Sequence, residues 1–131
     1  MKKILLPLVA LAFATPAAAQ SIVVTGSGED GLAPVSVAYE ELKAGQNSAA
    51  VDKLEHSALD AQDPSRLINL GTAYARLGKK ADAQTAYQAA ITSPIRYDVE
   101  LAGGTYMDSR WAARTALANL NQGGPLLALA R

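Results

Sequence analysis

The sequence predicts an all-α protein built from short antiparallel helical hairpins, and three observations support that fold class. Within residues 63–93, apolar and small residues recur three and four positions apart, both before and after the break at 78–80, and this spacing places them on one face of a helix. Asp63 followed by Pro64 is typical of a helix start, and Pro94 prevents the second helix from continuing. Alanine is abundant whereas Phe and Trp occur once each, which favours close packing of helices.

The same hairpin carries a recurring pattern of Leu, Leu-Gly, Tyr, Ala, Tyr, Ala and Pro. In this sequence the pattern falls on Leu67, Leu70, Gly71, Tyr74, Ala83, Tyr87, Ala90 and Pro94. It resembles the tetratricopeptide repeat (TPR), a helical hairpin of about 34 residues, although the first position is Leu in place of Trp and the proline comes one residue early. The resemblance implies that the small residues let the two helices approach and that the tyrosines fill the space between them.

Residues 1–19 have the features of a secretory signal peptide. Two lysines at 1–3 precede an apolar run at 4–13, and alanines at 17–19 offer a cleavage site before Gln20. The apolar run is shorter than the roughly 20 residues of a membrane-spanning helix. We therefore expect cleavage after Ala19 and no integral membrane span in the mature protein. The double-lysine start and the alanine-rich end are typical of bacterial signals, so the predicted location is the periplasm.

Composition limits the classes of partner and chemistry. Removal of Lys2 and Lys3 from the 12 basic residues leaves ten against 12 acidic ones, a net charge of about −2 for the mature chain. Without a basic stripe we expect no nucleic-acid partner. The absence of cysteine excludes disulfides and a lipid anchor on cysteine. The length suits one small domain.

Residues 20–33 are predicted to form a flexible leader between the cleavage site and the first helix. Residues 22–25 are β-branched, and glycines follow, as in many mobile chain ends. The segment 22–26 also resembles the TonB box, through which outer-membrane receptors pair with TonB as an added strand. Both interpretations stay open.

Residues 35–62 predict a divergent first hairpin, so that two hairpins span 34–94. The sequence 38–42 echoes 73–77, and Gly45 echoes Gly78. Pro34 suits the first turn of the first helix, and Asn47 or Ser48 can cap the second. The expected apolar positions of that second helix are Val51, Leu54, Ala58 and Leu59. Its His56 is the only histidine and lacks partners for a metal site, so we expect it on the surface.

The C-terminal third predicts a cap for the helical array. Residues 95–108 alternate in polarity around Gly103 and Gly104, which indicates either a short β-hairpin or an ordered loop. A capping helix is predicted over 109–122, with a tail at 123–131. Its candidate buried residues are Trp111, which would seal the array, and Ala113, Leu117 and Leu120.

The TPR resemblance implies a concave groove along the first helices of the hairpins, which usually receives an extended peptide or a helix. The groove residues carried over are Ser65, Ile68, Asn69, Thr72 and Arg76. In this family an Asn at the position of Asn69 commonly holds a peptide backbone, and Arg76 could pair with a carboxylate. The alternative is that Asn69 only bonds to a neighbouring helix and that Arg76 is solvated.

The sequence indicates a non-enzymatic adaptor that binds a protein or peptide partner. It shows no phosphate-binding glycine loop and no nucleophile motif, so we expect no catalytic residues, no metal and no cofactor. About three repeats are usually needed for stability, and homo-oligomerisation could supply the missing packing. The alternatives are therefore a self-associating structural module and a TonB-interacting protein.

Overall fold

The computed structural model of the chain describes residues 22–24 and 36–123, and these are mainly helical, as predicted. The elements in chain order are α1 (Tyr39–Lys43), α2 (Asn47–Glu55), α3 (Pro64–Arg76), α4 (Lys80–Thr92), β1 (Asp98–Glu100), β2 (Tyr106–Asp108) and α5 (Ser109–Gln122). The predicted signal peptide (1–19), most of the leader and the tail from 124 lie outside the described residues.

Helices α3 and α4 form the centre of the molecule, and the predicted signals set their ends. The Asp63 carboxylate accepts a hydrogen bond from the Arg66 amide at 3.0 Å, with Pro64 as the first helical residue. Gly78 adopts the left-handed backbone (φ 76°) that reverses the chain after α3. A methyl group added to Gly71 would lie 2.6 Å from the Tyr87 ring. The glycine therefore lets α3 and α4 pack closely.

The first two helices are shorter than predicted. Ala38 has φ 57°, a left-handed conformation that cannot continue a helix, so α1 begins at Tyr39 and not near Pro34. The N-cap of α2 is Gln46, without a side-chain hydrogen bond, so neither Asn47 nor Ser48 caps this helix. Because α2 ends at Glu55, the predicted helical positions Ala58 and Leu59 fall in the following loop, where Ala58 is exposed.

The β-hairpin is confirmed, in an antiparallel register that pairs Val99 with Met107. The pairing continues past β1, where the Leu101 amide donates to the Thr105 carbonyl at 2.8 Å. The hairpin leads directly into α5, because the Asp108 carboxylate accepts from the Trp111 amide at 3.1 Å and caps that helix.

Helix α5 packs on α4 and α3, as predicted for a capping helix, but Trp111 does not seal the array. Its side chain is 56% exposed, whereas Ala112, Ala113 and Ala116 are buried. Small side chains allow close approach of α5, which leaves no room for an indole between the helices. The larger Leu117 and Leu120 are only partly buried at the edge.

The buried apolar residues form two clusters. The main cluster joins α3, α4, α5 and β1 and contains Ile22, Val24, Ile68, Ala83, Tyr87, Ala90, Val99, Leu101, Ala112, Ala113 and Ala116. The second cluster lies between α1, α2 and α3 and contains Val23, Ala38, Leu42, Ala50, Leu54 and Ala73. Within the described residues, no helix has the length and apolar character needed to cross a membrane.

Candidate binding groove

The predicted groove residues of α3 lie together on one face of the helix, but that face is covered. Ser65, Ile68, Asn69 and Thr72 are all buried, and Asn69 and Thr72 have no exposed surface. The covering chain is the segment 22–24, hereafter the inserted segment. Three residues of the predicted flexible leader are thus part of the folded core, and that part of the prediction was wrong.

Asn69 holds the main chain of the inserted segment through its carboxamide. Its Oδ1 accepts from the Val24 amide at 2.7 Å, and its Nδ2 donates to the Val24 carbonyl at 2.7 Å. The same nitrogen donates to the Val37 carbonyl at 2.8 Å. One side chain therefore satisfies three main-chain groups that are cut off from water. These partners are two non-helical segments, and not the neighbouring helix that was the alternative.

Thr72 binds the inserted segment at Ile22, two residues before the Val24 that Asn69 binds. Its hydroxyl donates to the Ile22 carbonyl at 2.6 Å. Because this bond uses the only hydroxyl hydrogen of Thr72, the Tyr87 hydroxyl must be the donor in the 3.0 Å contact between the two side chains. Burial raises the pKa of Tyr87 to about 12, so this donor stays protonated even at moderately alkaline pH.

The opposite edge of the inserted segment pairs with the chain just beyond β1. The Ala102 amide donates to the Val23 carbonyl at 3.0 Å, and Val24 forms an antiparallel bridge with Leu101. Carbonyls 22 and 24 thus face α3, while carbonyl 23 faces the hairpin. This alternation is the hydrogen-bonding pattern of an extended strand.

The side chains of the inserted segment enter both hydrophobic clusters. Ile22 and Val24 belong to the main cluster, whereas Val23 belongs to the second cluster. All three side chains are at most 6% exposed. Alternate residues of a strand point in opposite directions, so an extended segment at this place joins two cores that α3 alone would separate.

Ser65 closes one end of this face through a polar chain. The Tyr97 hydroxyl donates to the two Asp63 carboxylate oxygens at 3.1 and 3.0 Å, so Ser65 donates to the Tyr97 oxygen at 2.7 Å. Burial raises the pKa of Tyr97 to about 12. The contact joins the start of α3 to the segment that leads into β1.

Arg76, which was predicted to line the groove, is half-buried and points to α1 instead. Its guanidinium donates to the Leu42 carbonyl at 2.7 Å, at the C-terminal end of α1. Partial burial lowers its pKa. Arg76 therefore adds a second donor to the Leu42 carbonyl, which also accepts from the Gly45 amide at the end of α1.

The pairing partners of the groove were missed at the sequence level. Ile22, Val23 and Val24 are a β-branched run, a recognised strand signal, but they stand alone between residues that predict a leader. Leu101 and Ala102 follow β1 with no pattern that marks a second pairing edge. The TonB interpretation included strand pairing for residues 22–26, yet it assigned the partner strand to another protein. Thr25 and Gly26 lie outside the described residues.

Two further polar contacts lie in the helical part of the described chain. His56 is exposed, as predicted, and lies 3.4 Å from the Asp52 carboxylate of its own helix turn. The Tyr74 hydroxyl donates to Glu55, a bond that raises the pKa of Tyr74 to about 12. Across residues 22–24 and 36–123, no cluster of three or more His, Asp or Glu has metal-binding geometry.

Comparison with protein-family models, with curated proteins and with solved structures gave no match to this chain.

Proposed function

We propose that this protein is a non-enzymatic, TPR-like adaptor of the periplasm, which binds an extended segment of a partner protein between α3 and the edge of β1. The observation that carries the proposal is the hydrogen bonding of residues 22–24. Asn69 and Thr72 form hydrogen bonds with main-chain groups on one edge of this extended segment, and the Ala102 amide donates to a carbonyl on the other edge. This is the recognition mode in which a peptide is added to a sheet edge.

The packing of the helices supports the repeat assignment. Three residues join α3 to α4, and Gly71 brings Tyr87 against α3, as the repeat pattern requires. A shorter pair, α1 and α2, precedes them, and α5 covers α4. A divergent first pair and a covering helix are what a short helical array needs at its two ends.

The energetics of the inserted segment are compatible with exchange. Burial of three aliphatic side chains contributes roughly 5–9 kcal/mol, whereas ordering three residues costs about 3–6 kcal/mol for the backbone alone. The difference between these two ranges runs from about −1 to about 6 kcal/mol, so the net stabilisation is at most a few kcal/mol. Insertion of residues 22–24 into the groove is therefore reversible.

The test uses the mature chain with Val24→Asp, which disfavours insertion because a carboxylate would be buried without a partner. Circular dichroism first establishes that the variant is folded. A display library of random extended heptapeptides is then selected on it, and selected peptides are titrated by calorimetry. We expect peptides with consecutive aliphatic residues and no proline at the position that faces Asn69.

A matched pair of threonine variants localises the binding. Thr72→Val, added to Val24→Asp, removes one main-chain hydrogen bond and should weaken peptide binding about fivefold. Thr85→Val removes a hydroxyl that bonds only to its own helix and should leave the affinity unchanged. A folded variant that retains no peptide, or peptides insensitive to Thr72→Val, would refute the proposal.

Self-association is the second candidate function, because two helical pairs and a covering helix form a small array. Light scattering of the wild-type mature chain measures it directly. We favour the groove over the TonB alternative because the main chain of residues 22–24 is paired with Asn69, Thr72 and the chain at Leu101.

A further inference from the structure

The inserted segment has the properties expected of a ligand for this groove. It is extended, its three side chains are aliphatic and buried, and its main-chain groups are paired on both edges. It also belongs to the chain that forms the groove. A partner segment can form the same contacts only when residues 22–24 are absent from them.

The covalent connection keeps the inserted segment close to the groove. The Val24 and Val37 carbonyls accept from the same Asn69 nitrogen, at 2.7 and 2.8 Å, so these two residues lie side by side although they are 13 positions apart in the sequence. A covalent connection of about this length gives an attached segment an effective concentration of about 1 mM at its site. A free peptide at lower concentration must compete with that tethered end.

We propose that residues 22–24 are a built-in competitor for the partner site, and that the groove exchanges them for a partner segment of the same chemistry. This inference rests on the proposed function. The partner segment has three consecutive β-branched aliphatic residues and runs antiparallel to the chain at Leu101. Its third residue is not proline, because the Asn69 oxygen accepts a hydrogen bond from the main-chain amide at the position of Val24. Residues 22–24 therefore set a threshold affinity that a partner must exceed.

The first experiment measures competition with a fluorescent peptide of the sequence 20–26. It is titrated into the wild-type mature chain and into the folded Val24→Asp chain, whose own segment inserts poorly. If the groove of the wild type is open in about 1–10% of molecules, the variant binds the peptide about 10- to 100-fold more tightly. An exposed substitution of the same kind, Ala81→Asp, should leave the wild-type affinity unchanged.

Two control peptides test the recognition itself. Val24→Pro in the peptide removes the amide hydrogen that Asn69 requires, and Val24→Asp places a charge in the main cluster. Both peptides should fail to bind the Val24→Asp chain. If the proline peptide binds as well as the native sequence, the assignment of the Asn69 contact to ligand recognition is wrong.

A second experiment avoids reliance on a variant that must fold with a substituted core residue. A protease recognition sequence is inserted between Gly28 and Glu29 of the full mature chain, and the purified protein is cut. We expect the short N-terminal fragment to be replaced by the labelled 20–26 peptide, with the helical circular dichroism retained. A fragment that never exchanges, or a chain that unfolds and takes up no peptide, would show that residues 22–24 are a permanent core strand.

The outcomes separate this inference from the proposed function. Equal peptide affinity in the wild type and in Val24→Asp would overturn the competitor role while the binding function stands. A folded Val24→Asp chain that binds no peptide of any sequence would overturn the binding function and, with it, the competitor.

Discussion

Asn69 shows how one side chain can decide the arrangement of three segments. Its carboxamide offers two donors and an acceptor in one plane, and all are used on main-chain groups of Val24 and Val37. Buried main-chain groups that lose such a partner are costly, since no water replaces it. The main contribution of Asn69 to stability is therefore that it supplies hydrogen-bond partners to buried main-chain groups that would otherwise have none.

We expect Asn69→Ala to lower the free energy of unfolding by about 2–5 kcal/mol, because three buried main-chain groups lose their partner at once. Urea unfolding followed by circular dichroism measures the change. Asn121→Ala on the exposed face of α5 is the matched control. The Asn121 side chain accepts a hydrogen bond from Gln84 at an exposed site, so its loss should cost less than about 0.5 kcal/mol. Equal effects of the two variants would contradict the role given to Asn69.

At Gly71 the limiting property is side-chain volume. A Cβ at this position would lie 2.6–3.0 Å from three atoms of the Tyr87 ring, and that ring is itself buried. We expect Gly71→Ala to destabilise the protein by about 1–3 kcal/mol, despite the better helix propensity of alanine. Thermal unfolding measures it. Gly103→Ala, which meets no atom within 4 Å, is the control and should be close to neutral.

At the scale of elements, the ends of the short helices depend on arginines from α3. Arg66 donates to the carbonyls of Leu54, Glu55 and Leu59, at 2.8, 3.2 and 3.4 Å, and Arg76 does the same for α1. Helices of five and nine residues have few internal hydrogen bonds and are marginal alone. Their ends are therefore fixed by tertiary contacts, which explains why sequence signals misplaced both.

We expect Arg66→Lys to destabilise α2 and cost about 1–3 kcal/mol, because an ammonium group cannot reach three carbonyls in a fork as a guanidinium does. Amide hydrogen exchange in α2 should rise more than in α4. Arg114→Lys, an exposed substitution on α5, is the matched control and should change neither quantity. Unchanged protection of α2 in Arg66→Lys would refute the capping role.

At the scale of the whole molecule, the buried polar residues among the described ones are uncharged, and the hydroxyl of the partly exposed Tyr97 lies at the edge of this set. Tyr87 and Thr72 are buried together beside the inserted segment, and Tyr97 links α3 to the start of the β-hairpin. Burial raises the pKa of both tyrosines to about 12. The fold should therefore be sensitive to alkaline conditions.

We expect stability to fall as pH rises from about 10 to about 12. In the unfolded chain Tyr87 loses its proton near its ordinary pKa of 10.0, whereas the folded protein retains it to about 12. In this window the unfolded state binds fewer protons, so stability declines with pH, and below it this group adds no pH dependence. Urea midpoints across the alkaline range, with tyrosinate absorbance in parallel, measure the effect.

Tyr87→Phe should reduce that alkaline slope, at the cost of the bond to Thr72. Tyr74 and Tyr97 would retain a residual slope in the variant, because their pKa values are raised in the same direction. A wild-type stability that stays constant up to pH 12 would contradict the assignment of a buried, neutral phenol.

The sequence by itself determined the mainly helical class and the limits of α3, α4 and α5, and it offered the short β-hairpin as one of two alternatives for residues 95–108. These features follow from local signals: an Asp-Pro start, a left-handed glycine, a proline stop, and alternation around paired glycines. The grouping of Ser65, Ile68, Asn69 and Thr72 along α3 came from the TPR resemblance, and the structure brings these four residues to one buried face of the helix.

Only the tertiary structure decided what that face binds. Residues 22–24 lie more than 40 positions from Asn69, and nothing in a three-residue β-branched run specifies a partner at that distance. The exposure of Trp111 was likewise invisible, because periodicity shows which residues share a face but not how closely the next helix approaches it. Pairing of distant segments depends on the shape and the unsatisfied polar groups of the assembled core, and these exist only once the helices have packed.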